Sequence, residues 1–331
     1  MAKYTSIGGQ ALIEGIMMKS PEKTALAVRT PDGGIDITDF SKKSIRERFP
    51  VLKIPFIRGV AAFIESMVQG YQAMMIAADK SGFTDLEEEE KPKDEKKQSA
   101  FMGILMTVAS VLGVALAVVL FMYLPRKAVG GLQWLFGREF SGLVRSLIEQ
   151  FLKLAIFVIY VWAVSLMKDI RRVFMYHGAE HKTIFCYENG LPLTVENVRK
   201  QRRFHPRCGT SFMILMILVS VIFSTLVQII FPGVYHIAWL WVIIKILLIP
   251  LVCGAGFELL KICGKYDNLF TKIVSAPGLW LQRITTREPE DGMIEVAIAA
   301  LRACEPETPD VDRSVDAQDA QEEEPESHDD I

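Results

Sequence analysis

The sequence predicts a mainly α membrane protein, with four transmembrane helices plus interfacial helices and a small N-terminal β-hairpin region. Three observations carry this reading. Apolar residues gather in long uncharged runs with the charge between them, and mean hydropathy is positive at +0.26. Four of these runs, 101–124, about 147–167, 210–231 and 237–254, match the roughly 20 helical residues that cross a bilayer core. Lys and Arg are unevenly shared among the connections, with nine in 168–209, four in 125–146 and none in 232–236. That bias places the middle loop on the cytoplasmic side of the membrane, and an even number of spans puts both termini there too.

Residues 1–55 read as a cytoplasmic N-terminal segment. The stretches 25–30 and 35–40 alternate apolar with polar around Pro31, Asp32, Gly33 and Gly34, a hairpin signal. Glu14 lies ahead of them in a glycine-bracketed apolar stretch and reads as an exposed turn residue, with a second role as an oxygen ligand left open. The extreme N-terminus has no basic region followed by an apolar core, so the expectation is that the first span directs insertion.

Residues 56–82 form an amphipathic helix, expected at the membrane interface or packed deeply against other helices. Arg58, Glu65, Gln69 and Gln72 make one narrow polar stripe on an otherwise apolar surface. Residues 83–100 are a charged linker. The transmembrane domain spans 101–254 and carries the loop 168–209. In the second span Glu149 and Lys153 stand four residues apart and can pair, whereas Lys245 in the fourth is expected to snorkel. Residues 255–304 read as cytoplasmic membrane-surface helices. Residues 305–331, with 12 acidic residues against one Arg, read as a disordered acidic tail.

The chemistry concentrates in the middle loop. Three of the five histidines lie there, and His177-Gly178-Ala179-Glu180-His181 reads H-x-x-E-H. On a helix the two imidazoles share a face one turn apart, as two ligands of one metal require. Glu180 beside them is placed to act as general base. The residue order is that of the inverzincin peptidases. Further along, His205 and Cys208 stand three apart, and Cys208 precedes the third span, where the helix dipole favours thiolate. Glu258 reaches the same surface after the fourth span.

The expected metal is zinc, held by His177 and His181 with His205, Cys208 or Glu258 completing the shell. A shell of His177, His181, His205 and Cys208 together would be closed and structural. Because His177 lies ten residues past Met167, a shared site requires a bend in the second helix or a long reach by the loop. Gly178 offers only a local break. The five cysteines contain no close pair and are expected to be reduced thiols. A net charge of −2 gives no reason to expect nucleic acid, and no nucleotide-loop or serine-hydrolase string occurs.

The strings 8–18, 176–182, 205–212 and 277–289 resemble the YqhQ family of uncharacterised bacterial membrane proteins, described as predicted metal-dependent enzymes. None of the four departs from the family pattern. The resemblance implies a cytoplasmic-membrane protein and supplies no reaction. Two function classes follow: a membrane-embedded zinc-dependent hydrolase, and a non-enzymatic assembly or translocation accessory factor that contacts a membrane-protein partner and in which any metal is structural. A transporter is weaker, for the spans carry few charges and no internal repeat.

Overall fold

A computed structural model of the chain describes residues 7–42, 44–45, 49–83, 108, 111–234, 237–266 and 268–305. The charged linker beyond Phe83, the start of the first span and the acidic tail beyond Glu305 lie outside the described residues. The protein is mostly helical, with a small antiparallel sheet at its N-terminus. The helices are α1 (Ile57–Lys80), α2 (Val111–Phe136), α3 (Gly142–Val164), α4 (Lys168–Glu188), α5 (Val195–Arg199), α6 (Gly209–Ile230), α7 (Ala238–Lys265), α8 (Leu269–Thr285) and α9 (Asp291–Cys304). Four of them, α2, α3, α6 and α7, are long and apolar enough to cross a membrane.

The expected hairpin is present as β3 (Thr24–Arg29) and β4 (Ile35–Asp39), closed by a Gly33 amide donating to the Thr30 carbonyl at 2.9 Å. It belongs to a larger meander. β1 (Gly8–Leu12) and β2 (Gly15–Lys19) precede it, and the sheet order is β1-β2-β3-β4. Glu14 does sit in the turn between β1 and β2, with φ at 48°, but it is half-buried rather than exposed. Its carboxylate takes Arg172 Nε at 2.5 Å and the Tyr176 hydroxyl at 3.1 Å, which ties the sheet to α4.

Alternate residues of a strand face opposite sides of a sheet, and here both sides are covered. Ile16, Met18, Ala25 and Ala27 pack with Ala179 and Ile184 of α4 and Ile294, Ala297 and Leu301 of α9. Leu12, Met17, Leu26 and Val28 pack with Ala73 and Ala77 of α1. The polar stripe of α1 faces protein: Glu65 accepts from the Ser44 hydroxyl and Ile45 amide, and Gln69 from Lys19. Its apolar residues Ile64, Met67, Val68 and Tyr71 are exposed.

Among the apolar helices, α6 packs along both α7 and α8, and Phe157, Ile214 and Leu281 form a core where α3, α6 and α8 meet. Lys245 does not snorkel: it donates to Glu149 at 3.1 Å, and Lys153 donates to the same carboxylate at 2.8 Å. A facing carboxylate offsets the cost of a charge within an apolar bundle. The helix α7 continues through Pro250 to Lys265, past the expected end of the fourth span. The bend that a shared site requires occurs at residues 165–167, where α3 stops and α4 starts as a separate helix.

Candidate metal centre

The centre is built from three pieces of chain far apart in sequence. α4 presents His177 and His181 on one face, their ring centroids 4.4 Å apart. The loop after α5 delivers Cys208, which caps α6 and takes the Thr210 amide on its sulfur at 3.4 Å. The end of α8 and the segment after it close the other side. The ligand atoms of His177, His181 and Cys208 all lie within 4.8 Å of one another.

The backbone decides how the imidazoles present themselves. His177 Nδ1 sits 2.8 Å from the Thr285 carbonyl, and His181 Nδ1 sits 2.5 Å from the Arg203 carbonyl. A carbonyl oxygen only accepts, so each Nδ1 carries the proton and donates. Each ring is thereby turned with its Nε2 inward, the nitrogen that would bind a metal once deprotonated and the orientation that outer partners impose on metal-binding histidines. His177 Nε2 lies 3.1 Å from Cys208 Sγ, and His181 Nε2 is buried with no aligned hydrogen-bond partner among the described residues. A buried orphan nitrogen beside a thiol and a second imidazole fits a soft divalent cation.

Charge reinforces the fit. Burial opposes an imidazolium at His177, but Cys208, Glu180 and the Thr285 carbonyl together outweigh it and lift the pKa to about 9. Burial likewise opposes a thiolate at Cys208, yet His177 and His181 hold its pKa well below the ordinary thiol value. The sulfur therefore ionises readily, and thiolate is the form that binds a metal. Glu180 is also buried, and desolvation raises its pKa while the two histidines oppose that rise. A Gly9 backbone hydrogen bond reaches its carboxyl, and a side chain at Gly9 would fall 2.9 Å from Glu180 Cγ, so β1 can approach only as glycine.

Other sequence candidates are placed elsewhere. The ring of His205 lies 5.6 Å from that of His181, but its nitrogens are engaged: Nδ1 accepts the Arg207 amide at 3.3 Å and Nε2 faces Glu188 at 3.7 Å. Glu258 gives its carboxylate to Arg58, with Nε at 2.6 Å. Glu14 belongs to Arg172 and Tyr176, as described above. Neither Glu258, Glu14 nor His205 belongs to the converging group.

Two further residues shape the centre without offering it a ligand. Gln282, fully buried on α8, accepts the His205 amide at 2.7 Å and donates to the His205 carbonyl at 2.7 Å and to the Ser211 hydroxyl at 3.0 Å. It clamps the loop that carries Cys208. Gly178 sits under the segment after α8, where the Arg287 amide donates to the Phe174 carbonyl at 2.8 Å. A methyl group at position 178 would overlap the Arg287 carbonyl oxygen, so the glycine allows the close approach that delivers Thr285 to His177. α4 is unbroken there, and the glycine supplies clearance rather than a break.

The fold and the cluster define a class: a protein with, among the described residues, four membrane-length apolar helices, in which the segment connecting α3 to α6 supplies a His-His-Cys group. Residues 54–307 match the family model described as "Protein of unknown function (DUF1385)", and the chain belongs to that family. It is 37% identical over 296 residues to "Uncharacterized protein YqhQ" of Bacillus subtilis (strain 168), covering 89% of this chain and 90% of that protein. No solved structure matches the chain.

Proposed function

We propose that the protein is a multi-pass enzyme of the bacterial cytoplasmic membrane, a metal-dependent hydrolase with its centre on the cytoplasmic face. The observation that carries this reading is the gathering of one ligand atom each from His177, His181 and Cys208 within 4.8 Å, each imidazole being held by a backbone carbonyl through Nδ1. His177, His181 and Cys208 would hold the ion. Three protein ligands with a fourth position open are the pattern of catalytic rather than structural zinc. His205, the residue that would close the shell, is held by Glu188 and Arg207 instead. A bound zinc supplies Lewis acidity to water and substrate.

The chain's own part falls to Glu180. Its carboxyl lines the same open cleft as the three ligands, in a setting that raises its proton affinity. It takes a proton from the attacking water and returns it to the leaving group, so that water adds across the broken bond. The test is Glu180→Gln in detergent-purified protein. We expect metal content at the wild-type level and hydrolysis reduced by a factor of about 100 or more. Full turnover in that variant would eliminate the mechanism.

The exposed apolar row of Ile64, Met67, Val68 and Tyr71 on α1 favours a second reading, an assembly or translocation accessory factor that docks a membrane protein. A stoichiometric membrane partner retained equally by wild type and Glu180→Gln would favour it.

A further inference from the structure

The cleft that the cluster opens onto runs continuously into the helical bundle, with a volume of roughly 2320 Å3. Small-molecule pockets rarely exceed about 1,000 Å3. Along the bundle its walls are apolar, with Phe157 from α3, Met213, Met216 and Ile217 from α6, and Ile249 and Val252 from α7. Its charge is one-sided. Among the described residues eight Lys or Arg side chains line it against one carboxylate, Glu180, so an anion is the ligand the lining attracts.

Some of these cations are balanced from behind. Glu258 faces Arg58, Glu188 faces Arg207, and Lys153 and Lys245 share Glu149, which leaves one positive charge in excess inside the bundle. Others stand at the mouth. Lys53, just ahead of α1, and Lys261 and Lys265, at the end of α7, are exposed on the cleft's rim. Around Lys53 the exposed residues are apolar: Val51, Ile54, Phe56 and Ile57. Lysines set among exposed apolar side chains suit the level of lipid headgroups.

We propose that the substrate is an anionic phospholipid of the adjacent leaflet. Its headgroup is drawn to Lys53, Lys261 and Lys265 at the mouth, and its acyl chains lie between α3, α6 and α7. Acyl chains ask nothing of an apolar wall, whereas a peptide's amides would need hydrogen-bond partners along it. A small water-soluble anion would have no use for the apolar depth. Calling the lipid a substrate rests on the hydrolase reading; lipid binding itself is read without turnover.

The experiment uses the full chain, delipidated in detergent and equilibrated with phosphatidylglycerol or phosphatidylcholine, with retained lipid read by native mass spectrometry and metal measured on the same samples. Wild type is expected to prefer phosphatidylglycerol by about tenfold or more, since each basic residue near a lipid surface contributes on the order of a factor of five. Replacing the three exposed lysines, Lys53→Gln, Lys261→Gln and Lys265→Gln together, is expected to remove most of that preference. Ser220→Phe, which projects a ring into the cleft, is expected to lower retention of both lipids. Equal retention of the two lipids by wild type, or a preference unchanged in the triple variant, overturns the proposal. So does displacement of lipid by an apolar peptide with a free carboxylate. Absence of metal alongside an intact lipid preference would defeat the hydrolase reading alone.

Discussion

Gly178 contributes no functional group, yet the geometry of the centre depends on it. The H-x-x-E-H spacing is legible in the sequence because a helix turns i and i+4 to one face. The need for glycine between them is not, because the backbone it clears belongs to Arg287, 109 positions downstream. Gly178→Ala should push that segment off α4 and remove the Thr285 carbonyl from His177 Nδ1. We expect a loss of about 1–3 kcal/mol in thermal or denaturant stability, together with weakened metal retention. An unchanged melting curve and metal content would refute this account of the glycine. His205 teaches the same lesson in reverse. Its spacing to Cys208 is that of a ligand pair, but the ring's direction is set by Glu188 and by the Gln282 clamp, neither of which local spacing reveals.

At the scale of elements, the apolar runs were legible because length and lack of charge suffice to mark a membrane-length helix. Their ends were less so. The second run continues apolar through Met167, while the helix ends at Val164; the turn at 165–167 re-aims the chain so that α4 packs on the sheet. β2 escaped a periodicity reading for a related reason. Residues Gly15–Met18 are buried throughout, since α9 covers one face of the sheet and α1 the other, and a strand buried on both faces shows no apolar-polar alternation. β3 and β4 announced themselves through the turn at 31–34. The polar stripe of α1 was visible, but its partners were not. Glu65, Gln69 and Arg58 are taken by Ser44, Lys19 and Glu258, which the fold alone brings to them.

For the whole molecule, the sheet, α4 and α9 form one packed body at the end of the apolar helices where His177, His181 and Cys208 meet. The Lys and Arg bias predicts that this end is cytoplasmic. Single-cysteine labelling of intact cells tests it, using the open turns at Gly190 and Gly233 in a background without reactive native thiols. An impermeant maleimide should reach position 233 and not 190. Labelling at 190 would reverse the orientation.

The central claim is a three-ligand metal centre, and elemental analysis of detergent-purified protein, prepared without chelator, tests it most directly. Wild type and His205→Ala should each carry about one divalent ion per chain, while His181→Ala and Cys208→Ser should carry almost none. No metal in wild type would contradict the centre itself. Loss in His205→Ala as complete as in His181→Ala would mean a closed four-ligand shell, and with it a structural rather than a catalytic ion.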